Sequence, residues 1–223
     1  MKKEITISHS KILLEEGEFA GDTAVLFLPG ISGGAVGERF VPLAEMICAA
    51  HLTSIRMHAW EGESDVCTKT LRELYEEIET VVAWLLHNGF EQIVMIGKSF
   101  GGGLVLAYEH PQVVQKILWA PAIGIGDEET ILTQRDTPLG TIADLLDIHM
   151  SLEEVREDDA HICIIHGDMD TVIPLENSKK IIQATENGEL RIVKGADHSF
   201  KRPEHEAELL RITKELLGAE HRP

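Results

Sequence analysis

Six short apolar runs, most of them ended by glycine or proline, constrain the fold more than any other feature of this sequence. Each run has four to six residues and is rich in apolar or β-branched side chains, as expected of strands buried on both faces of a parallel sheet. The runs cover residues 24–28, 53–58, 92–96, 116–119, 161–165 and 190–193. We expect the segment ahead of them, residues 1–20, to add one or two strands at an edge of the sheet.

Amphipathic helical patterns separate these runs. The clearest covers residues 68–87, where apolar residues such as Leu71 and Leu74 follow the i, i+3, i+4, i+7 spacing of a helix with one apolar face. Similar patterns predict helices over 38–50, 176–185 and 204–217. The alternation predicts the α/β class: a three-layer, doubly wound, mostly parallel sheet forming a single domain over residues 1–223. Ligands of such a sheet bind where its strands end.

The net charge of the chain argues against nucleic acids and anionic membranes as partners. The 223 residues include 20 Lys and Arg against 38 Asp and Glu, a net charge of −18, whereas nucleic acids and anionic membranes are bound through clustered Lys and Arg. We therefore expect a small-molecule substrate and neither a nucleic-acid nor a membrane partner; the oligomeric state stays open.

The three cysteines, Cys48, Cys67 and Cys163, show no C-x-x-C spacing, so we predict neither a disulfide nor a zinc site. Free thiols are typical of a reducing compartment, so we also predict a cytoplasmic location.

The most informative motif is GKSFG at residues 97–101, which follows the run 92–96 and precedes a helical pattern. A G-x-S-x-G between a strand and a helix is typical of a sharp turn that exposes a nucleophilic serine, here Ser99. Gly97 and Gly101 leave room for the close contacts of that turn. The start of the helix, with its free N–H groups, favours a developing negative charge.

A serine nucleophile needs a base, and the base needs a carboxylate that orients it. His198 follows the run 190–193, so it lies where a strand ends and before the last helix. Asp168 and Asp170 both follow the run 161–165 and are candidates for the carboxylate. The order serine, aspartate, histidine along the chain is that of α/β-hydrolases.

These segments resemble the α/β-hydrolase superfamily over nearly the whole chain. The matching segments, in the family's order, are LPGISGG (28–34), HAWEGES (58–64), GKSFG (97–101), HGDMDTVIP (166–174) and GADHSF (195–200). The resemblance implies the α/β-hydrolase fold and a catalytic triad of Ser99, Asp170 and His198, because the family pattern HGxxDxxxP places the acid on Asp170. Asp168 is the first alternative acid, Asp197 the second, and some family members would place the acid near position 127.

The resemblance also implies an oxyanion hole made of two backbone N–H groups. One belongs to Phe100, the residue after the nucleophile, and the other to Ile31 in the loop after the run 24–28. Pro29 departs from the histidine that the family usually has there, which removes a polar group that often holds this loop. Lys98 is a second departure: either its stem is buried with a solvated head, or it influences the turn or an anionic substrate.

Three other interpretations of these motifs fail. A P-loop needs a glycine where this sequence has Gln92, inside an apolar run, and the glycines of residues 30–37 lack the G-x-G-x-x-G spacing of a dinucleotide site. His166, Asp168 and Asp170 could ligate a metal, but no second cluster supports them. We therefore predict no cofactor and no metal.

The predicted function is that of a serine hydrolase of the carboxylesterase kind, which cleaves small or medium acyl esters through an acyl-enzyme on Ser99. An acyl thioesterase and a non-catalytic binding protein with the same fold are the alternatives. Residues 123–160, 38 residues in the position of the family's cap, form a short insertion. Its apolar residues either dock helices on the sheet or form a small lid over an acyl pocket.

Overall fold

A computed structural model describes residues 2–7, 10–17, 21–126, 131, 134–146 and 148–219. Eight strands of this part of the chain form one sheet. They are β1 (Lys2–Ile7), β2 (Ser10–Glu16), β3 (Thr23–Leu28), β4 (Thr53–His58), β5 (Gln92–Lys98), β6 (Val113–Trp119), β9 (His161–Gly167) and β10 (Gly188–Val193), while β7 (Gly124–Ile125) and β8 (His149–Met150) pair separately. The order across the sheet is β1-β2-β4-β3-β5-β6-β9-β10.

The sheet is parallel from β4 to β10, and β1 and β2 extend it as an antiparallel edge. All six predicted strands are present, and residues 2–7 and 10–16 form the two strands at that edge of the sheet. Two of the observed strands are longer than predicted. The strand predicted at 116–119 begins at Val113, and the one predicted at 92–96 continues to Lys98, because these residues still pair with a neighbouring strand.

Helices cover both faces of the sheet. They are α1 (Val41–Ala49), α2 (Glu63–Val66), α3 (Leu71–His87), α4 (Phe100–Ala107), α5 (Ile142–Leu146), α6 (Leu152–Glu157), α7 (Leu175–Ala184) and α8 (Pro203–Ala219). The helix predicted over 68–87 begins later, since Thr70 caps it and forms a capping box with Glu73. Residues 38–40 form a 3₁₀ turn before α1, which has Pro42 in its first turn.

Strand alternation divides the apolar core into two layers. In β3, Leu26 and Leu28 face the core beneath α3 and α4, whereas Val25 and Phe27 face the core beneath α1 and α8. The molecule therefore has three layers, and the predicted doubly wound α/β class is confirmed. In the part of the chain that the structure describes, no helix is both long enough and apolar enough to cross a membrane.

The described residues of the 123–160 segment contain β7, β8, α5 and α6. Seven of its described apolar residues are buried in the core on the α3 side of the sheet: Ile123, Leu139, Leu145, Ile148, Met150, Val155 and Ala160. Ile142, by contrast, is 43% exposed. These contacts favour docking on the sheet for most of the segment, and the cap-like insertion itself stays a prediction.

Candidate active site

Ser99 occupies the turn between β5 and α4 with an unusual backbone. Its φ of 51° and ψ of −118° are unfavourable for a residue with a side chain, so the surrounding structure must hold them. The Ser99 N–H donates to the Trp119 carbonyl (2.8 Å), and the Ser99 carbonyl accepts from Gly103 (3.0 Å) and Ala122 (2.9 Å). These contacts with β6, with the loop after it and with α4 fix the strained turn.

The glycines of the motif are required by close backbone contacts. A Cβ on Gly97 would lie 2.5 Å from the Gly101 carbonyl oxygen, and a Cβ on Gly101 would lie 2.2 Å from that of Pro29. A larger residue at either position would force the backbone to shift. The turn therefore brings the start of α4 against both β5 and the loop after β3.

Ser99, His198 and Asp170 are joined by two hydrogen bonds. The distance from Ser99 Oγ to His198 Nε2 is 2.9 Å, and that from His198 Nδ1 to Asp170 Oδ2 is 2.7 Å. With Nδ1 protonated, His198 donates to the carboxylate and its Nε2 accepts from the serine hydroxyl. The structure thus brings together the three residues predicted for the triad, from the carboxyl ends of β5, β9 and β10.

The Asp170 carboxylate is buried but has several donors. Val172 and Ile173 donate backbone N–H groups to Oδ1 at 2.8 and 2.9 Å, and His166 Nε2 lies 3.2 Å from Oδ2. Burial raises the pKa of Asp170, but hydrogen bonds from His166, His198 and Ile173 outweigh it and hold the pKa well below its usual value. The group is therefore a charged acceptor at neutral pH.

The alternative acids have other partners. Asp168 Oδ1 accepts from the Gly195 N–H at 2.5 Å, which ties the loop after β9 to the loop after β10. Asp197 Oδ1 accepts from the N–H groups of Ser199 and Lys201 at 3.1 and 3.2 Å. Position 127 lies outside the described residues. Among the three described carboxylates, only Asp170 is hydrogen-bonded to His198.

The loop of Ile31 lies beside Ser99. A Cβ on Gly30 would be 3.5 Å from the Ser99 Cβ, and Phe100 begins helix α4. Trp60 Nε1 donates to the Gly30 carbonyl at 3.1 Å, and the Trp60 ring meets the Phe100 ring edge-on at 5.4 Å. Trp60 thus holds the loop that carries Ile31. An oxyanion hole made by Ile31 and Phe100 stays a prediction.

Lys98 lines a small cavity of about 30 Å³ on the α8 side of the sheet, together with Arg39, Trp119, Phe200 and Glu206, and Ser99 is not part of its wall. Burial, and secondly the charge of Arg39, lower the pKa of Lys98 to about 8. These surroundings favour an indirect influence of Lys98 on the turn that carries Ser99 over direct contact with a substrate.

Two further residues of the site were not predicted from the sequence. One is Trp60; the other is His166, which is fully buried. His166 Nδ1 lies 2.7 Å from Ser178 Oγ, while Nε2 lies 3.2 Å from both the Ile173 carbonyl and Asp170. With the ring hydrogen on Nε2, Nδ1 accepts from the Ser178 hydroxyl and Nε2 donates toward the Ile173 carbonyl and Asp170, which fixes the position of the acid. The family pattern HGxxD contains this histidine, but nothing in the pattern indicates its role.

Comparison with known proteins supports the fold. The sequence matches no protein-family model and no curated protein. Among solved structures, it is similar to an esterase from Thermogutta terrifontis (TM-score 0.79, 17% identity, 99% of this chain and 94% of that one). It is also similar to Est1E from Butyrivibrio proteoclasticus (0.75, 18%, 97% of each chain) and to a monoacylglycerol lipase from Paleococcus ferrophilus (0.70, 17%, 92% and 98%).

The fold is therefore that of the α/β-hydrolases, which confirms the resemblance for the architecture over nearly the whole chain. At such low sequence identity the likeness carries no activity with it. What this chain does has to be inferred from its own site.

Proposed function

We propose that this protein is a serine hydrolase that cleaves carboxylic esters of small or medium acyl groups through an acyl-enzyme on Ser99. The observation that carries the proposal is the continuous hydrogen-bonded relay from Ser99 through His198 to Asp170, with heavy-atom distances of 2.9 and 2.7 Å. It starts from a strained turn at the beginning of a helix. This arrangement suits a nucleophile and its general base.

In the proposed reaction, His198 Nε2 takes the proton of the Ser99 hydroxyl as Oγ attacks the acyl carbonyl. The bond between the carbonyl carbon and the leaving alcohol then breaks, and His198 returns the proton to that alcohol. A water molecule, deprotonated by the same ring, releases the acid and restores Ser99. Throughout, the negative charge of Asp170 stabilises the charged imidazole, consistent with the lowered pKa of this carboxyl.

The oxyanion of each tetrahedral intermediate would bind to the backbone N–H groups of Phe100 and Ile31. Phe100 is the first residue of α4, so its N–H is one of those that a helix leaves without an internal acceptor. The loop of Ile31 is fixed by the Trp60 bond to Gly30 and by the Gly33 N–H, which donates to the same carbonyl at 2.9 Å. A donor on a fixed loop needs little rearrangement during the reaction.

The preference for small or medium acyl groups rests on the 123–160 segment. Its buried apolar residues are part of the core, and only 38 residues are available for a cover. The Thermogutta esterase binds butyrate in one structure and propionate in another, acids of this size.

Hydrolysis of p-nitrophenyl esters, from acetate to decanoate, tests the proposal. We expect wild type to prefer the shorter esters and Ser99→Ala to lose at least about 10³-fold in kcat, because the triad acts as a unit. Ser64→Ala, an exposed serine on α2, is the matched control and should keep full activity. Ester turnover that survives Ser99→Ala would remove Ser99 from the proposed role.

The same assay separates the two alternatives. Turnover of acyl-CoA thioesters without turnover of oxygen esters would favour a thioesterase. Inactivity on both, with no covalent labelling of Ser99, would favour a binding protein on a hydrolase fold. The cytoplasmic location stays a prediction from the sequence.

A further inference from the structure

Three potential metal ligands meet at the start of β9 and β10, away from the proposed active site. The ligand atoms of His161, Cys163 and Glu189 all lie within 4.8 Å of one another. His161 and Cys163 are two residues apart on β9 and share a face of the sheet, and Glu189 is paired with Cys163 in the β9–β10 register. We propose that these three side chains bind a zinc ion.

The donor atoms and their spacing fit zinc. The distance from His161 Nδ1 to Cys163 Sγ is 3.6 Å. Zinc bonds of ~2.0–2.1 Å to nitrogen and ~2.3 Å to sulfur at a tetrahedral angle place the two donors about 3.6 Å apart. A set of one sulfur, one nitrogen and one carboxylate oxygen favours zinc over calcium or magnesium, which prefer oxygen alone.

A buried amide supports the site from the neighbouring strand. Gln115 on β6 is paired with His161, and its side chain is fully buried. Its Nε2 lies 3.7 Å from Cys163 Sγ and 3.3 Å from the Leu216 carbonyl, while its Oε1 has no partner within the described structure. Donation to a thiolate sulfur is a contact that metal-bound cysteines commonly receive. A water molecule on the fourth position of the zinc would provide Oε1 with a donor.

The site is open to solvent through the edge of the sheet. β10 is the last strand, and the Glu189 side chain is 32% exposed. Arg191 Nε donates to Glu189 Oε2 at 2.5 Å, so this guanidinium competes with a cation for the carboxylate. Removal of Arg191 should therefore strengthen metal binding, an effect that no purely structural role of the cluster predicts.

The position of the cluster indicates what zinc would do. His161 begins β9 and Gly167 ends it, so the cluster and the loop of Asp170 are about 20 Å apart along the strand. Zinc would tie β9 to β10, the two strands whose opposite ends carry Asp170 and His198. We expect it to raise the thermal stability of the protein and to leave ester hydrolysis unchanged, so this inference does not depend on the proposed function.

Titration of the metal-free chain of 223 residues with Co²⁺ alone tests the site, because a cysteine thiolate bound to cobalt gives a charge-transfer absorption in the near ultraviolet. We expect this absorption to saturate at one Co²⁺ per chain in wild type and to disappear in Cys163→Ser. Cys48→Ser is the matched control, since Cys48 Sγ donates to the Glu15 carbonyl elsewhere, and it should bind like wild type. Zn²⁺ at a hundredfold excess over its Kd should raise Tm by about 5–10 °C.

Two surface variants keep the test valid if Cys163→Ser fails to fold. Glu189→Gln should weaken Co²⁺ binding about tenfold or more, and Arg191→Ala should tighten it about two- to tenfold. Wild type without the thiolate absorption, or an absorption that persists in Cys163→Ser, would overturn the proposal. So would equal Co²⁺ affinities for wild type, Glu189→Gln and Arg191→Ala.

Discussion

Replacement of Lys98 by methionine should stabilise the protein at neutral pH and remove part of its pH dependence. The pKa of Lys98 is lowered from 10.5 to about 8 because the side chain is largely buried and lies near the charge of Arg39, with Glu206 and Asp197 opposing the shift. The folded state thus releases a proton that the unfolded chain retains between pH 8 and 10.5. Stability from this group is lowest below pH 8 and is regained as the pH rises through that range.

The size of the effect follows from the shift. The lowering of the Lys98 pKa from 10.5 to about 8 corresponds to at most about 3 kcal/mol, and partial solvation of the lysine head brings the effect to about 1–3 kcal/mol. Lys98→Met keeps an apolar side chain in the cavity that Trp119 and Phe200 also line, and it removes the charge. We therefore expect Lys98→Met to exceed wild type in free energy of unfolding by about 1–3 kcal/mol at pH 7.

Urea unfolding at intervals from pH 7 to pH 10.5 measures this difference. The difference between wild type and Lys98→Met should shrink toward zero at the upper end, whereas every other titrating group cancels in the comparison. Lys201→Met, at an exposed lysine, is the control and should change the free energy of unfolding by less than about 0.5 kcal/mol. A Lys98→Met protein that is less stable than wild type at pH 7, by an amount constant with pH, would refute the reasoning.

Three further predictions concern the site. Asp170→Asn should lower kcat about 10³–10⁴-fold and Asp168→Asn far less, and the reverse ranking in ester hydrolysis would reassign the acid. His166→Asn should lower kcat about tenfold with little change in KM, because the acid loses a fixed donor; steady-state kinetics that match wild type would contradict this. Gly97→Ala should destabilise by about 1–3 kcal/mol, since its Cβ would meet a carbonyl oxygen at 2.5 Å, whereas Gly21→Ala, with open space around it, should not; denaturant unfolding compares the two.

The elements of this fold are predictable because their signals are local. The apolar run 161–165 predicts a strand and the amphipathic pattern of 68–87 predicts a helix, each from neighbouring residues alone. The first and last residues of these elements depend in addition on neighbouring strands. β6 begins at Val113 because β5 is available to pair with it, which no residue of the run itself indicates.

The residues of the candidate site also differ in how far the sequence predicts them. Ser99 and His198 stand in motifs whose spacing shows their chemistry, and the structure brings both together with Asp170. The parts missed are those whose partners come from distant segments. The hydrogen bond from Trp60 to the Gly30 carbonyl joins residues 30 positions apart. Nothing in the sequence around Trp60 indicates that its side chain makes this contact.

The proposed zinc ligands could not be predicted from the sequence at all. Cysteine spacing along the chain indicated no metal site, because only one cysteine takes part and Glu189 comes from the next strand. The cluster depends on the register of β9 against β10, in which Glu189 is paired with Cys163. Such a register is set by the whole sheet, so a single sequence does not reveal it.

Covalent labelling with a fluorophosphonate tests the central claim most directly, since the phosphorus atom takes the place of the acyl carbon and needs only an activated serine and its base. The Thermogutta esterase is known phosphonylated by sarin, a reagent of the same class. We predict one adduct per chain, located on the peptide of Ser99 by mass spectrometry and abolished by Ser99→Ala and by His198→Ala. Folded wild-type protein that stays unlabelled at Ser99 would contradict the account.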